Sequence, residues 1–255
     1  MQLSYIARHG IFILIIVLFS CKKQKVIKPD FAVLQLFGWI ADNGIVVTNF
    51  SDAPLANYSE AARVNTLLLS LYMNKYYITD KVQPFAFYAY PDTLPKSAPL
   101  LKLDLELEKN RIYSLFISGT TTSLDTVLVK DNFPVLQPSD SVAAVRFVNL
   151  MKGAAVSVNL KGKPFGSVVQ NLPYMGVTEF QNFPVKDDID TYEFEIRDAA
   201  TSYLLTTYVC RDVNAKLTGT HRWLAKLRTH AITGIRGNTS AGDPNSMTIH
   251  ELLHN

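Results

Sequence analysis

Residues 192–196 read Tyr192-Glu193-Phe194-Glu195-Ile196 and follow a polar turn signal, Lys186-Asp187-Asp188. Aromatic and β-branched residues suit the half-buried surface of a sheet, and short polar clusters suit a reversal. Runs of the same kind stand along the chain: Ile45-Val46-Val47-Thr48, Phe85-Ala86-Phe87-Tyr88-Ala89-Tyr90, Tyr113-Ser114-Leu115-Phe116-Ile117 and Ala144-Val145-Arg146-Phe147-Val148. Asp42-Asn43-Gly44, Pro91-Asp92 and Lys161-Gly162-Lys163-Pro164 punctuate them. Many short strands broken by turn signals predict an all-β sandwich or barrel.

The order of these signals repeats about 105–110 residues apart. Asn49-Phe50 followed by Pro54-Leu55 recurs as Asn159-Leu160 followed by Pro164-Phe165. Pro99-Leu100-Leu101 recurs as Tyr203-Leu204-Leu205, and Arg111-Ile112-Tyr113 loosely as His221-Arg222-Trp223. A period of domain size predicts two tandem immunoglobulin-like β-sandwiches, over 31–136 and 142–255. The Pro-rich, polar segment Phe133–Ser141 marks the boundary. Tyr58–Tyr77 has no clear counterpart in the second half and reads as an insertion, either a short helix or a strand.

Composition removes several classes. The 255 residues are 48% hydrophobic, 18% charged and 11% aromatic, too apolar for a disordered tail. Twenty-five Lys+Arg against 22 Asp+Glu is too balanced to point to nucleic acid. Two cysteines cannot build a disulfide scaffold.

The first twenty residues read as a signal peptide. Arg8 is the positive n-region, and Ile11–Phe19 is an unbroken apolar run. That run is about half the length of a membrane-spanning helix. Leu18-Phe19-Ser20-Cys21 resembles the bacterial lipobox, which makes Cys21 the expected lipidation site. Residues 21–30, with Lys22, Lys23, Lys25 and Lys28, form a basic tether. The expected location is the cell envelope, lipid-anchored in the outer membrane. With Cys21 lipidated, Cys210 has no intrachain partner and reads as a buried, inert thiol.

Several stretches resemble one family. Ala144–Asn149 opens the second unit of this chain. Val158-Asn159-Leu160-Lys161-Gly162-Lys163-Pro164 looks like the family's V-x-V-D-G-x-P turn. Tyr192-Glu193-Phe194-Glu195-Ile196-Arg197-Asp198-Ala199 is similar to its Y-x-F-E-V-R-x-A strand. Asn110–Gly119 is similar to its G-K-x-Y-[ST]-x-F-x-x-G strand. The chain thus resembles two copies of the DUF4397 family, domains of unknown function common in envelope lipoproteins of Bacteroidetes-type bacteria. The first copy is divergent: Val33-Leu34-Gln35-Leu36-Phe37-Gly38 replaces the opening motif. The resemblance implies a fold and a location but supplies no catalytic residues.

Candidate chemistry is sparse. His250-Glu251-Leu252-Leu253-His254 matches H-E-x-x-H, which on a helix places two imidazoles on one zinc. Repeat logic instead makes residues 247–252 a closing strand, where i and i+4 lie about 13 Å apart. A metal-dependent hydrolase using His250, Glu251 and His254 is therefore the alternative reading only. Lys226, Arg228 and His230 share one strand face, read either as a solvated face or as a contact for an anionic surface. Tyr88 and Tyr90 take the strand face opposite Phe85 and Phe87, as a sugar-stacking platform or as a covered face. Asp104, Glu106 and Glu108 alternate with leucines like the wet side of an amphipathic strand. The sequence therefore predicts no catalytic residue and no cofactor. It predicts a non-enzymatic binding or structural role toward a glycan or envelope protein, or a passive spacer, through loops at the sandwich ends.

Overall fold

The computed structural model describes residues 30–42, 44–55, 61–65, 75–90, 98–153, 155–217 and 220–254. The signal peptide, Cys21 and the tether as far as residue 29 lie outside these residues. Within them the chain is all-β, two tandem sandwiches of two four-stranded sheets each. The first holds β1 (Ala32–Ile40), β2 (Ile45–Asn49), β3 (Arg63–Asn65), β4 (Lys75–Ile78), β5 (Val82–Ala89), β6 (Leu101–Glu106), β7 (Ile112–Thr120) and β8 (Ser123–Lys130). Residues 131–141, with one 3-10 turn at Pro138–Asp140, lead to the second. It holds β9 (Val142–Asn149), β10 (Val156–Leu160), β11 (Val169–Leu172), β12 (Gln181–Pro184), β13 (Tyr192–Asp198) and β14 (Leu204–Cys210). A small hairpin, β15 (Lys216–Leu217) and β16 (Thr220–His221), precedes β17 (Leu227–Thr233) and β18 (Thr248–His254).

The two sandwiches repeat one topology. The inner sheet of the first runs β4-β1-β7-β8, and that of the second β12-β9-β17-β18. The outer sheets run β3-β2-β5-β6 and β11-β10-β13-β14. In each inner sheet the first strand pairs in parallel with the next-to-last of its unit, β1 with β7 and β9 with β17. Gln35 opposite Ser114 corresponds to Arg146 opposite Thr229.

Two expectations change here. Tyr58–Tyr77 contributes β3 and β4, which occupy the sheet places of β11 and β12, so this stretch belongs to the repeat rather than being added to it. Residues 58–60 and 66–74 lie outside the described set. The counterpart of Tyr113 is Arg228 rather than Trp223, because residues 211–226 carry the extra hairpin and push the next strand later in the sequence. The recurring Asn, by contrast, has a clear use. Asn49 and Asn159 are both buried and both hold the loop that follows, Asn49 through Ala53 O and Asn159 through the backbone N–H of Gly166.

Each sandwich has its own core. Phe85, Phe87, Leu34, Leu36 and Leu115 fill the first, and Phe147, Phe194, Ile196, Val156 and Trp223 the second. A third apolar cluster joins the units. Phe37, Trp39 and Phe116 of the first meet Val148, Leu150, Ala231 and Leu252 of the second. The inner sheets therefore face each other, and β1, β7, β9 and β17 are buried on both faces almost throughout. The Ser118 hydroxyl donates across the join to Leu150 O at 2.6 Å.

Strand directions give the body two ends. The chain enters β1 at Ala32, and the β1–β2, β7–β8, β9–β10, β13–β14 and β17–β18 connections lie at the other end. Lys152, after β9, reaches Asp125 and Ser123 of β8, so both units point these connections the same way.

Candidate functional site

The structure removes most of the sequence candidates from solvent. Arg228 and His230 share a face, as their alternation requires, but that face is the core of the second sandwich. Lys226 alone of that trio is exposed. The anionic-surface reading of Lys226 and Arg228 therefore loses its second charge. Tyr88 is buried with Val47 and Ala86 on the outer face of the first sandwich, under Leu55 and Ala61. Tyr90 is half-buried, with the Arg63 guanidinium 4.2 Å from its ring centre. A covered face thus replaces the open platform, because Leu55 and Ala61 pack on it. Asp104 and Glu106 are exposed while Leu105 is buried, as an amphipathic strand requires.

His250, Glu251 and His254 lie on β18, a strand. His250 and His254 fall on the side facing the join and Glu251 on the side facing the core. His254 uses both ring nitrogens: Nε2 lies 2.6 Å from Thr229 Oγ1 and Nδ1 3.0 Å from Gln35 Oε1. A carbonyl oxygen can only accept, so Nδ1–H donates to Gln35 and Nε2 accepts from the threonine. Burial, then the charges of Arg146 and Lys75, push the His254 pKa down to about 3.

Sequence reasoning missed two polar clusters. The first is the centre of the join. Arg146 Nη1 donates to Asp131 Oδ1 at 2.6 Å, with side chains 3% and 0% exposed. Its Nη2 donates to Ser114 Oγ at 3.1 Å and its Nε to Thr229 Oγ1 at 2.8 Å. Ser114 donates onward to Asp131 Oδ2 at 2.7 Å. Phe180 lies under the guanidinium at 4.8 Å. Burial raises the Asp131 pKa, and Arg146 and Ser114 oppose that shift. A continuous chain, Asp131–Arg146–Thr229–His254–Gln35, therefore crosses between the units. A cleft of about 290 Å³ opens beside it, lined in part by Gln35, Lys75, Tyr77, Phe133 and His254.

The second cluster lies inside the second sandwich. Arg228 pairs with Glu251 and stacks on Trp223, its guanidinium carbon 4.0 Å from the ring centre. His230 is fully buried and directly opposite Glu251 in the β17–β18 register, with Nε2 3.6 Å from Glu251 Oε2. Neither His230 ring nitrogen has a hydrogen-bond partner. Cys210, from β14 of the opposite sheet, completes the group, with one ligand atom from each of Cys210, His230 and Glu251 within 4.8 Å of the others. Burial holds the His230 imidazole below its usual range and pushes the Cys210 thiol up to about 12.

The far end of the second unit differs most from the first. The β7–β8 connection is Thr121-Thr122, whereas 234–247 joins β17 to β18. That longer loop is internally braced: Asn238 donates to Asp243 and Met247 N to Asn238 O. Arg236 ties it to Asp198 on β13 at 2.6 Å. Within it Ile235 is 49% exposed, and Tyr203 of the β13–β14 connection at the same end is 72% exposed.

No family model matches the chain, and no curated protein matches it. Among solved structures it is similar to a Bacteroides ovatus protein described as a "putative adhesin". Identity is 12% and the TM-score 0.23, with 90% of this chain and 97% of that one covered.

Proposed function

We propose that this protein is an outer-membrane lipoprotein with a non-enzymatic binding role, tethered through lipid on Cys21 and touching a glycan or envelope protein through its far end. The apolar run Ile11–Phe19 and the Leu18–Cys21 box support the anchor. Two or more acyl chains are what stable anchoring needs. Among the described residues no helix is long and apolar enough to cross a membrane.

The observation that carries the contact surface is the asymmetry of the repeat. Two copies of one fold have the same scaffold requirements, so a braced loop present in only one copy is free to serve recognition. Loop 234–247 sits at the end opposite the entry of the chain into β1; its Ile235 is exposed, as is Tyr203 of the β13–β14 connection at the same end. Exposed aromatic side chains supply stacking area at small entropic cost.

The test replaces Arg236–Asn245 with a two-residue turn copied from Thr121-Thr122. Binding to isolated envelope glycans and to cross-linked envelope proteins is compared with the parent chain. The expected result is a folded protein that has lost the contact. Unchanged binding would contradict the assignment. Cys21→Ser is expected to abolish fatty-acid labelling and membrane retention.

A further inference from the structure

We propose that Cys210, His230 and Glu251 form a binding site for a thiophilic metal ion, with monovalent copper preferred to zinc. The repeat supplies its own control. In the first sandwich Leu115 stands opposite Leu128, in the register places of His230 and Glu251. Phe85 and Phe194 occupy equivalent core places, which puts Leu105 in the place of Cys210. A leucine trio thus fills this site in one copy, and the fold has no need of thiol, imidazole and carboxylate in the other. Burying ionisable groups carries a desolvation cost that leucines avoid.

The chemistry of the trio is that of a soft-metal site. Thiolate and imidazole are the ligands that select copper(I) and zinc. His230 is 0% exposed and no hydrogen bond holds either ring nitrogen, so its one lone pair is not committed to another donor. Donors bound at about 2.0–2.3 Å stand roughly 3.5 Å apart, so closing from 4.8 Å takes a shift of about 1 Å. Glu251, 25% exposed, provides the way in from solvent. A bound ion would also link β14 of one sheet to β17 and β18 of the other, across an open side of the sandwich.

Charge decides between the ions. Binding replaces the Cys210 thiol proton: the S–H bond breaks, a sulfur–metal bond forms, and one proton leaves. For a monovalent ion the net charge of the site stays unchanged. A divalent ion adds one positive charge beside the buried Arg228 guanidinium, which already neutralises Glu251.

The test uses the full chain in detergent, purified metal-free under reducing conditions, with Cys21→Ser so that Cys210 is its one thiol. Copper(I) is titrated in competition with a chromogenic chelator, and zinc in parallel. The expected result is one copper per chain, a thiolate-to-copper absorption band, and a raised melting temperature. Cys210→Ser and His230→Leu should each weaken copper at least tenfold and remove the band. His230→Leu places the residue that the first sandwich already carries there, so the metal-free variant should stay folded by circular dichroism. Binding of neither ion, or binding at full strength in both variants, would overturn the site. Zinc bound in preference to copper would overturn the monovalent assignment.

Discussion

Asp131 and His254 occupy the same place in the two repeats, and each reaches across the join to the other unit. Asp131 follows β8 and bonds Ile112 O through its backbone, while His254 ends β18 opposite Leu227, the counterpart of Ile112. Asp131 pairs with Arg146, and His254 pairs with Gln35, Arg146's own counterpart. Each also bonds a hydroxyl on the next-to-last strand of its own unit, Ser114 on β7 or Thr229 on β17. The join is therefore an internal near-twofold arrangement in which one copy keeps an ion pair and the other a neutral amide–imidazole pair.

Breaking the ion pair from one side should be costly. Arg146→Met leaves the Asp131 carboxylate buried without its cation, with an expected loss of about 3–5 kcal/mol in urea unfolding. Arg146→Met combined with Asp131→Leu should recover most of that loss, because no buried charge then remains. A double variant as unstable as the single one would show that the two residues are not coupled.

Acid should weaken the fold through His254. Its folded pKa, about 3, lies below the ordinary histidine value, so the unfolded chain binds more protons between about pH 6.5 and 3. Stability is then full above that window and falls as pH drops through it, by about 1.4 kcal/mol per unit for this one group. His230 and His250 are also held below their usual range and act with the same sign. Urea midpoints measured from pH 7 to 4 should fall, and less steeply in His254→Gln.

Two glycines at equivalent places should resist substitution. Gly119 is the last β7 residue paired with β1 and has φ +127°, and a Cβ there would stand 2.1 Å from Ser123 O. Gly234, just after β17, has φ +108° and would place its Cβ 2.5 Å from Ser246 O. Both the backbone region and the close approach exclude a side chain. Gly119→Ala and Gly234→Ala should each cost about 2 kcal/mol or more, read from chemical denaturation.

Tyr88 should behave as a packing residue. Tyr88→Ala removes a buried ring under Leu55 and Ala61, with an expected loss of about 3 kcal/mol and no change in glycan or protein binding. A stable variant with lost binding would restore the open-platform reading.

Fold class and the two-unit repeat were legible because β-branched and aromatic runs between turn signals report local preference. Alternation in Leu103-Asp104-Leu105-Glu106 gave the wet face of β6 correctly. Alternation failed at Lys226-Leu227-Arg228-Thr229-His230, where it assigned the polar face to water. The strand is covered on both sides, by its own core and by the other unit, so neither face is wet. The signal for this was present: β1 and β9 read Ala-Val-Leu-Gln-Leu-Phe-Gly-Trp-Ile and Val-Ala-Ala-Val-Arg-Phe-Val-Asn, nearly continuous apolar runs of the kind doubly covered strands carry. The Cys210–His230–Glu251 group was not legible, because its members come from three strands in two sheets. Only the register of the repeat shows that they replace leucines.

The most direct test of the central claim, that both sandwiches form one body around the buried join, is calorimetric unfolding of residues 22–255. One transition is expected, with the calorimetric enthalpy equal to the van't Hoff enthalpy. Two separate transitions in the parent chain, unmoved by Arg146→Met, would contradict it.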